Sequence, residues 1–228
     1  MPEVFDHSTD LIIFDPPFTN YPDRRYLDKK DYLHFLQTIA KECNRVLSIE
    51  GVLVTVNTDL RDHSWYNRND KRYDGLIWHK HTVIKQVFEG LGFRCIETKL
   101  WIKSLKQNIY RYNYSYIQFF IKTSKKRRFQ IPTEIATDFS PDVWFLTGTP
   151  RKRLSSGYIF RDGLHPLLVY RCINAFTERD GLVLSPFAGL GTVIDVANSL
   201  GRSGVGYEVD LDLYDHLVSS LPYTDIIR

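Results

Sequence analysis

Two short stretches carry residue types suited to chemistry on a flat, polar group. The first, Asp15-Pro16-Pro17-Phe18, follows the apolar run Leu11-Ile12-Ile13-Phe14. Two prolines cannot continue a central strand, so the run ends abruptly in a loop whose carbonyl oxygens have no ladder partner. Asp15 adds a carboxylate and Phe18 a flat ring. Such a set accepts hydrogen bonds from an amino group and stacks on the plane that carries it; a tight turn with a helix-capping Asp is the plainer alternative. The second stretch, Ser185-Pro186-Phe187-Ala188-Gly189-Leu190-Gly191-Thr192, lies between an apolar run and a helical pattern. Its glycines let backbone approach a ligand closely. Glu208 closes the run Gly204-Val205-Gly206-Tyr207, 17 residues after Gly191, where an acid can accept both hydroxyls of a ribose. An αβ turn followed by an exposed Glu is the alternative.

The elements that must position these residues follow from hydrophobic spacing. Leu11–Phe14 reads as a buried parallel strand, and Val52–Val56 and Leu182–Leu184 read likewise. Apolar residues at Leu33, Leu36, Ile39, Ala40, Cys43, Val46 and Leu47 repeat every 3.6 residues and predict a helix over 31–47. Further helices are expected over 79–91, from His165 or Pro166 to Phe176, and over 192–200. Strands are expected over 93–102, 114–122 and 203–207. Strands alternating with helices imply an α/β fold with a mostly parallel sheet. Residues 93–102 and 114–122 are joined by a Lys- and Tyr-rich hairpin, which predicts an antiparallel edge. Residues 57–75 read as a loop, and residues 123–161 lack clear periodicity.

The 228 residues are 43% hydrophobic and 25% charged, a globular balance that supports one sizeable core. One domain, 1–228, with an insertion at 123–161 is expected. No apolar run approaches the roughly 18–20 residues that cross a bilayer, and Met1–Asp6 has no signal-peptide character. A cytoplasmic, nucleoid-associated location is expected, or a nuclear one in a eukaryote. Cys43, Cys95 and Cys172 are too scattered for a disulfide framework or a metal site and read as small buried side chains. Between Arg94 and Arg161 stand 14 Lys and Arg against 4 Asp and Glu, although the whole chain is only +3. A basic face on a mildly acidic body favours a polyanionic partner. Lys125, Lys126, Arg127 and Arg128, with Arg151, Lys152 and Arg153, are the candidate phosphate contacts.

Taken together, the two motifs resemble those of the S-adenosylmethionine-dependent amino-methyltransferases that modify adenine N6 or cytosine N4 in DNA. Ser185–Thr192 is similar to their cofactor loop, usually written DPF-x-G-x-GT. Catalytic motif first and cofactor motif last is the circularly permuted order of the beta class. The likeness extends through Arg45–Val56, Trp101–Lys103, Tyr114–Lys122 and His165-Pro166. It leaves out residues 123–161, where the family places its target-recognition segment. The resemblance implies a Rossmann-like methyltransferase sheet with S-adenosyl-L-methionine as cofactor and duplex DNA with a flipped base as partner, in a restriction-modification setting. It implies that Asp15 and the Pro16 carbonyl accept hydrogen bonds from the target amine, with Pro17 fixing the loop and Phe18 stacking on the base. Asp15, His165, Ser185, Phe187, Ala188, Gly189, Gly191, Thr192 and Glu208 are the implied cofactor residues. Asp at the first motif position favours adenine N6 over cytosine N4. An RNA adenine N6-methyltransferase and a catalytically silent nucleic-acid-binding subunit are the alternative readings, and a homodimer or a partner subunit is a further expectation. The absence of a Pro-Cys nucleophile argues against carbon-5 cytosine chemistry.

Three departures from the family pattern stand out. Ser185 occupies a position usually held by Asp, and Ser115 one usually held by an acid. Relatives are expected to carry a strand ahead of the catalytic one that supplies an acid to the cofactor adenine. Here that implies either a piece of a longer chain or a different hold on adenine, with Asp6 the nearest candidate. His63, His79 and His81 lie close in sequence with no carboxylate or Cys at ligand spacing, so no metal site is expected. Trp101, Tyr110, Tyr112, Tyr114 and Tyr116 form an aromatic strip that either covers the sheet or touches bases.

Overall fold

Leu11, Ile12, Ile13 and Phe14 are fully buried because the strand they form is covered on both faces. The computed structural model describes residues 1–17, 29–61, 77–106, 112–122, 131, 133–160, 163–221 and 225–227. In chain order the first elements are β1 (Thr9–Phe14), α1 (Lys29–Val46), β2 (Leu47–Asn57), β3 (Leu60–Arg61), β4 (Ile77–Trp78), α2 (Lys80–Glu89), β5 (Arg94–Ile102) and β6 (Tyr114–Ile121). There follow α3 (Thr133–Phe139), β7 (Val143–Phe145), β8 (Lys152–Arg153), β9 (Ile159–Phe160), α4 (Pro166–Phe176) and β10 (Leu182–Ser185). The chain continues through α5 (Thr192–Ser199), β11 (Ser203–Tyr207), α6 (Leu211–Ser220) and β12 (Asp225–Ile227).

Eight strands make one sheet in the order β12-β11-β10-β1-β2-β6-β5-β7, and β3–β4 and β8–β9 form two small ribbons. Period-two alternation splits the core into two layers. Leu11, Ile13, Val52, Val54 and Phe119 face α3, α4 and α5, whereas Ile12, Phe14, Leu53 and Phe120 face α1 and α2. The three cysteines are free, and Cys43 and Cys172 are buried, where desolvation pushes both thiols up.

One expectation needs correction. The β5–β6 hairpin is antiparallel, but it is not the edge: β6 pairs with β2, and β7 pairs parallel with the far side of β5. Burial holds β7 there, since Trp144 on β7 and Phe139 on α3 both enter the main core. Part of the 123–161 segment is therefore core structure. Residues 1–8 form no strand, in line with the sequence pattern. β1 is flanked by β10 and β2, and β12 pairs with β11 at the outer edge. Asp6 pairs with Arg45 on α1. The helix α6, which the sequence reading did not anticipate, starts at Asp210, whose side chain accepts the Leu213 N–H.

Trp101 ties the hairpin to the segment after β7. Its indole N–H donates to the Leu146 carbonyl at 2.8 Å, in a buried setting. Replacing Trp101 by Phe removes that donor and leaves the carbonyl short of a partner, for an expected loss of about 1–3 kcal/mol in denaturant unfolding.

Candidate functional site

β1 and β10 pair in parallel, with Leu11 opposite Val183 and Ile12 opposite Leu184. Both loops of interest therefore leave the same edge of the sheet. The Asp10 carboxylate accepts the Leu182 N–H at 2.9 Å and pins the register. Ligands of open α/β sheets bind outside the carboxyl ends of the strands, and a cavity of about 450 Å³ opens there. This volume falls within the range of small-molecule sites. Asp15, Pro16 and Pro17 form one wall; Phe187, Ala188, Gly189, Thr192 and Glu208 stand in the others. Two motifs about 170 residues apart in sequence thus share one cavity.

Glu208 follows β11 and is 7% exposed. One carboxylate oxygen accepts the Gly189 N–H at 2.8 Å, and the other accepts those of Val209 and Asp210 at 2.9 Å each. Desolvation raises its pKa, opposed by these backbone bonds. Three of roughly four acceptor positions are used internally, so Glu208 shapes the glycine loop as well as facing the cavity. Phe187 packs against Phe14 and Phe35, with ring centroids 5.7 and 5.8 Å away.

Three of the expected cofactor residues stand behind the cavity wall. The Ser185 hydroxyl, 1% exposed, donates to the Phe187 carbonyl at 3.2 Å and holds the loop from behind. His165 caps α4, its Nδ1 accepting the Leu167 N–H at 3.2 Å; desolvation lowers its pKa. Gly191 adopts φ +79°, and a Cβ there would lie 2.5 Å from a Leu217 methyl. The left-handed backbone and the close approach of α6 both call for glycine here. Phe18 and Lys125–Arg128 lie outside the described residues.

The sequence reading missed the aromatic walls. Tyr32 and Phe35 reach the cavity from α1, and Tyr158 and Phe160 from the β8–β9 ribbon. The apolar positions that predict this helix, Leu33 to Leu47, leave both rings out, and no local signal marks them. The Tyr32 hydroxyl is buried and has no hydrogen-bond partner among the described residues. Desolvation, then the Asp15 charge, drives its pKa well up. On β8, Lys152 is opposite Phe160 and Arg153 opposite Ile159. With Arg151 they are exposed, on or beside the ribbon whose Tyr158 and Phe160 line the cavity.

A second cluster lies on the far side of Pro16. Lys80, the first residue of α2, is fully buried, and its Nζ donates to the Pro16 carbonyl at 2.7 Å. The neighbouring imidazoles contradict the view that no carboxylate is within their reach. Asp59 accepts from His79 Nδ1 at 3.1 Å and His81 Nδ1 at 2.7 Å, and its Oδ1 also accepts the His81 N–H at 3.2 Å. Spacing hid this contact because Asp59 is 20 residues from His79. Donor atoms of the three residues lie within 4.8 Å of one another. As hydrogen-bonded, the cluster ties the first turn of α2 to the loop after β2. The His81 ring stacks on Tyr116 at 4.0 Å, and Tyr116, Tyr114 and Tyr112 continue the aromatic row.

The strand order, the layered helices and the cavity at the carboxyl edge define a Rossmann-like methyltransferase fold. The chain belongs to the DNA methylase family N6_N4_Mtase, which it matches over residues 9–219. It is 26% identical over 241 residues to the Type II methyltransferase M.BglII of Bacillus subtilis, covering 93% of this chain and 63% of that protein. The chain thus spans less than two thirds of that relative. Among solved structures, it is similar to TTHA0409 of Thermus thermophilus complexed with S-adenosyl-L-methionine. That match has a TM-score of 0.73 and 21% identity over 99% of this chain and 93% of the other. It is also similar to the PvuII DNA methyltransferase, which is cytosine-N4-specific, with a TM-score of 0.74 and 18% identity over 96% and 82% of the two chains. No helix among the described residues is long and apolar enough to cross a membrane.

Proposed function

We propose that this chain transfers a methyl group from S-adenosyl-L-methionine to the exocyclic N6 of adenine in DNA. One observation carries the reading: Asp15-Pro16-Pro17 and the Phe187–Gly189 loop wall the same cavity. The residues present fit the cofactor, because aromatic rings, close backbone at Gly189 and a single buried acid suit an adenosine joined to an amino acid. The buried Tyr32 hydroxyl is one further hydrogen-bonding group for it. When bound, the cofactor supplies a methyl on a sulfonium, an electrophile that needs no covalent protein nucleophile.

The protein's own part is orientation. Asp15 and the Pro16 carbonyl accept the two amine hydrogens, which leaves the nitrogen lone pair directed at the methyl. Phe18 stacks on a base turned out of the duplex. Phe187, Ala188, Gly189 and Thr192 hold the methionine side and Glu208 the ribose, with Ser185, His165 and Gly191 supporting those loops. Asp15 favours adenine, and Arg151, Lys152 and Arg153, with Lys125–Arg128, meet the DNA phosphates.

The test is transfer of labelled methyl to duplex DNA, single-stranded DNA and RNA, with the product nucleoside identified by mass. N6-methyladenine in DNA is the expected product. N4-methylcytosine would overturn the base, and label confined to RNA would overturn the polymer. Replacing Arg151, Lys152 and Arg153 together by Ala is expected to weaken DNA binding and to reduce the salt slope of the binding constant by about 2–3. Titrations at several salt concentrations check this.

A further inference from the structure

Lys80 is the charged side chain most deeply built into this site, and nothing in the methyl-transfer scheme above uses it. A lysine with no exposed surface is costly unless its charge is met. Its Nζ spans 64 residues of sequence to reach the Pro16 carbonyl at 2.7 Å and lies 5.7 Å from the Tyr32 ring centroid. The placement is enforced from both sides. His79 and His81 are each bound to Asp59, which fixes the first turn of α2 against the loop after β2. The residue between those anchors is held over the back of the catalytic loop.

We propose that Lys80 is a positioning residue for methyl transfer: its ammonium holds one lone pair of the Pro16 carbonyl, so that the other is fixed toward the target amine. A carbonyl oxygen has two lone pairs, and the loop after β1 offers it no ladder bond. A charge-assisted hydrogen bond is short and strong, so a cation there removes the freedom of an oxygen that must meet the amine within tenths of an ångström. The cation also balances the charge of the Asp15 carboxylate. Lys80 does not line the cofactor cavity, so its effect falls on turnover rather than on cofactor binding. The inference rests on the methyltransferase reading, and the experiment separates the two.

The groups that act on Lys80 are Asp15 after β1, Asp59 after β2 and Lys103 after β5, with the Tyr32 ring packed on it from α1. Burial outweighs the two carboxylates and lowers its pKa to about 8. Below that value Lys80 is an ammonium; above it, a neutral amine and a weaker donor. A clamp therefore loses strength as pH rises through about 8, whereas a proton acceptor would gain it.

The experiment uses the full chain and Lys80→Met, which keeps length and removes the charge. Pro16-Pro17 is the only Pro-Pro pair in the sequence. Proline labelled with carbonyl 13C and 15N therefore gives one carbon-nitrogen coupled signal, that of the Pro16 carbonyl. We expect this signal to move as pH passes about 8 in the wild-type chain, and to be displaced and pH-independent in Lys80→Met. We further expect kcat in Lys80→Met to fall about 10–100-fold, the scale on which small misplacements act, with KM and Kd for S-adenosyl-L-methionine within about threefold. Wild-type kcat should decline above pH 8, and that decline should be absent in the variant. A Pro16 signal that does not titrate, a variant kcat equal to wild type, or a wild-type kcat that climbs through pH 8 would each overturn the clamp. A chain that transfers no methyl defeats the methyltransferase reading, while the Pro16 signal still decides for or against the contact.

Discussion

Asp15→Ala is expected to lower methyl transfer by about 10²–10³-fold, the scale seen when one preorganised polar partner of a reacting group is removed. Asp15 stands where the strand edge, the proline loop and the cavity meet. Its carboxylate is the one charged acceptor that the catalytic motif offers to an amine. The loss has a second component. Asp15 is the larger of the two carboxylate influences that keep Lys80 charged, so its removal also pushes the buried amine toward neutrality and loosens the Pro16 carbonyl. Asp15→Asn preserves shape but substitutes an amide for the anion, and an intermediate loss is expected. Initial rates at saturating cofactor and DNA, beside an unchanged unfolding curve, check both variants.

The largest expected effect on stability comes from Gly191→Ala. The left-handed backbone at φ +79° costs an L-residue about 1–2 kcal/mol. The added methyl would also lie 2.5 Å from Leu217 and 2.8 Å from Leu221. Leu217 is fully buried with Ala188 and Ile194, so the clash is relieved by shifting α6. A total of about 2–4 kcal/mol follows, or roughly 5–15 °C in Tm for a chain of this length. Leu213 of α6 lines the cavity, so cofactor affinity should fall as well. Thermal unfolding and calorimetric titration with S-adenosyl-L-methionine measure the two effects.

Much of this site was legible because its positioning elements are extreme cases. β1 and β10 are covered on both faces, so each reads as an unbroken apolar run, and the segment after each run had to be a loop at one edge. Ser203–Tyr207 and Pro166–Phe176 matched for similar reasons. The elements that escaped notice are those that depend on a distant partner. Val143-Trp144-Phe145 is too short to show a period and is a strand only because β5 offers a free edge. Asp59 gains meaning only when β2 brings it beside α2. Lys80 reads as an ordinary polar residue at a helix start, and its burial becomes visible only once Pro16 is overhead. Tyr32 and Phe35 fall outside the apolar positions that predict this helix, and sequence cannot tell a wall from an interior.

The contact between β1 and β10 also governs when this molecule becomes whole during its synthesis. β1 leaves the ribosome well ahead of β10, since this strand neighbour is separated from it by about 170 residues. At about 5–20 residues per second, that partner emerges some ten to thirty seconds later. In the interval a strand buried on both faces has only β2 beside it and an open edge on the other side. Such long-range parallel pairing is intrinsically slow and exposes sticky backbone. The nascent chain must shield Leu11–Phe14 until β10 arrives, and the two walls of the cavity come together at that late step.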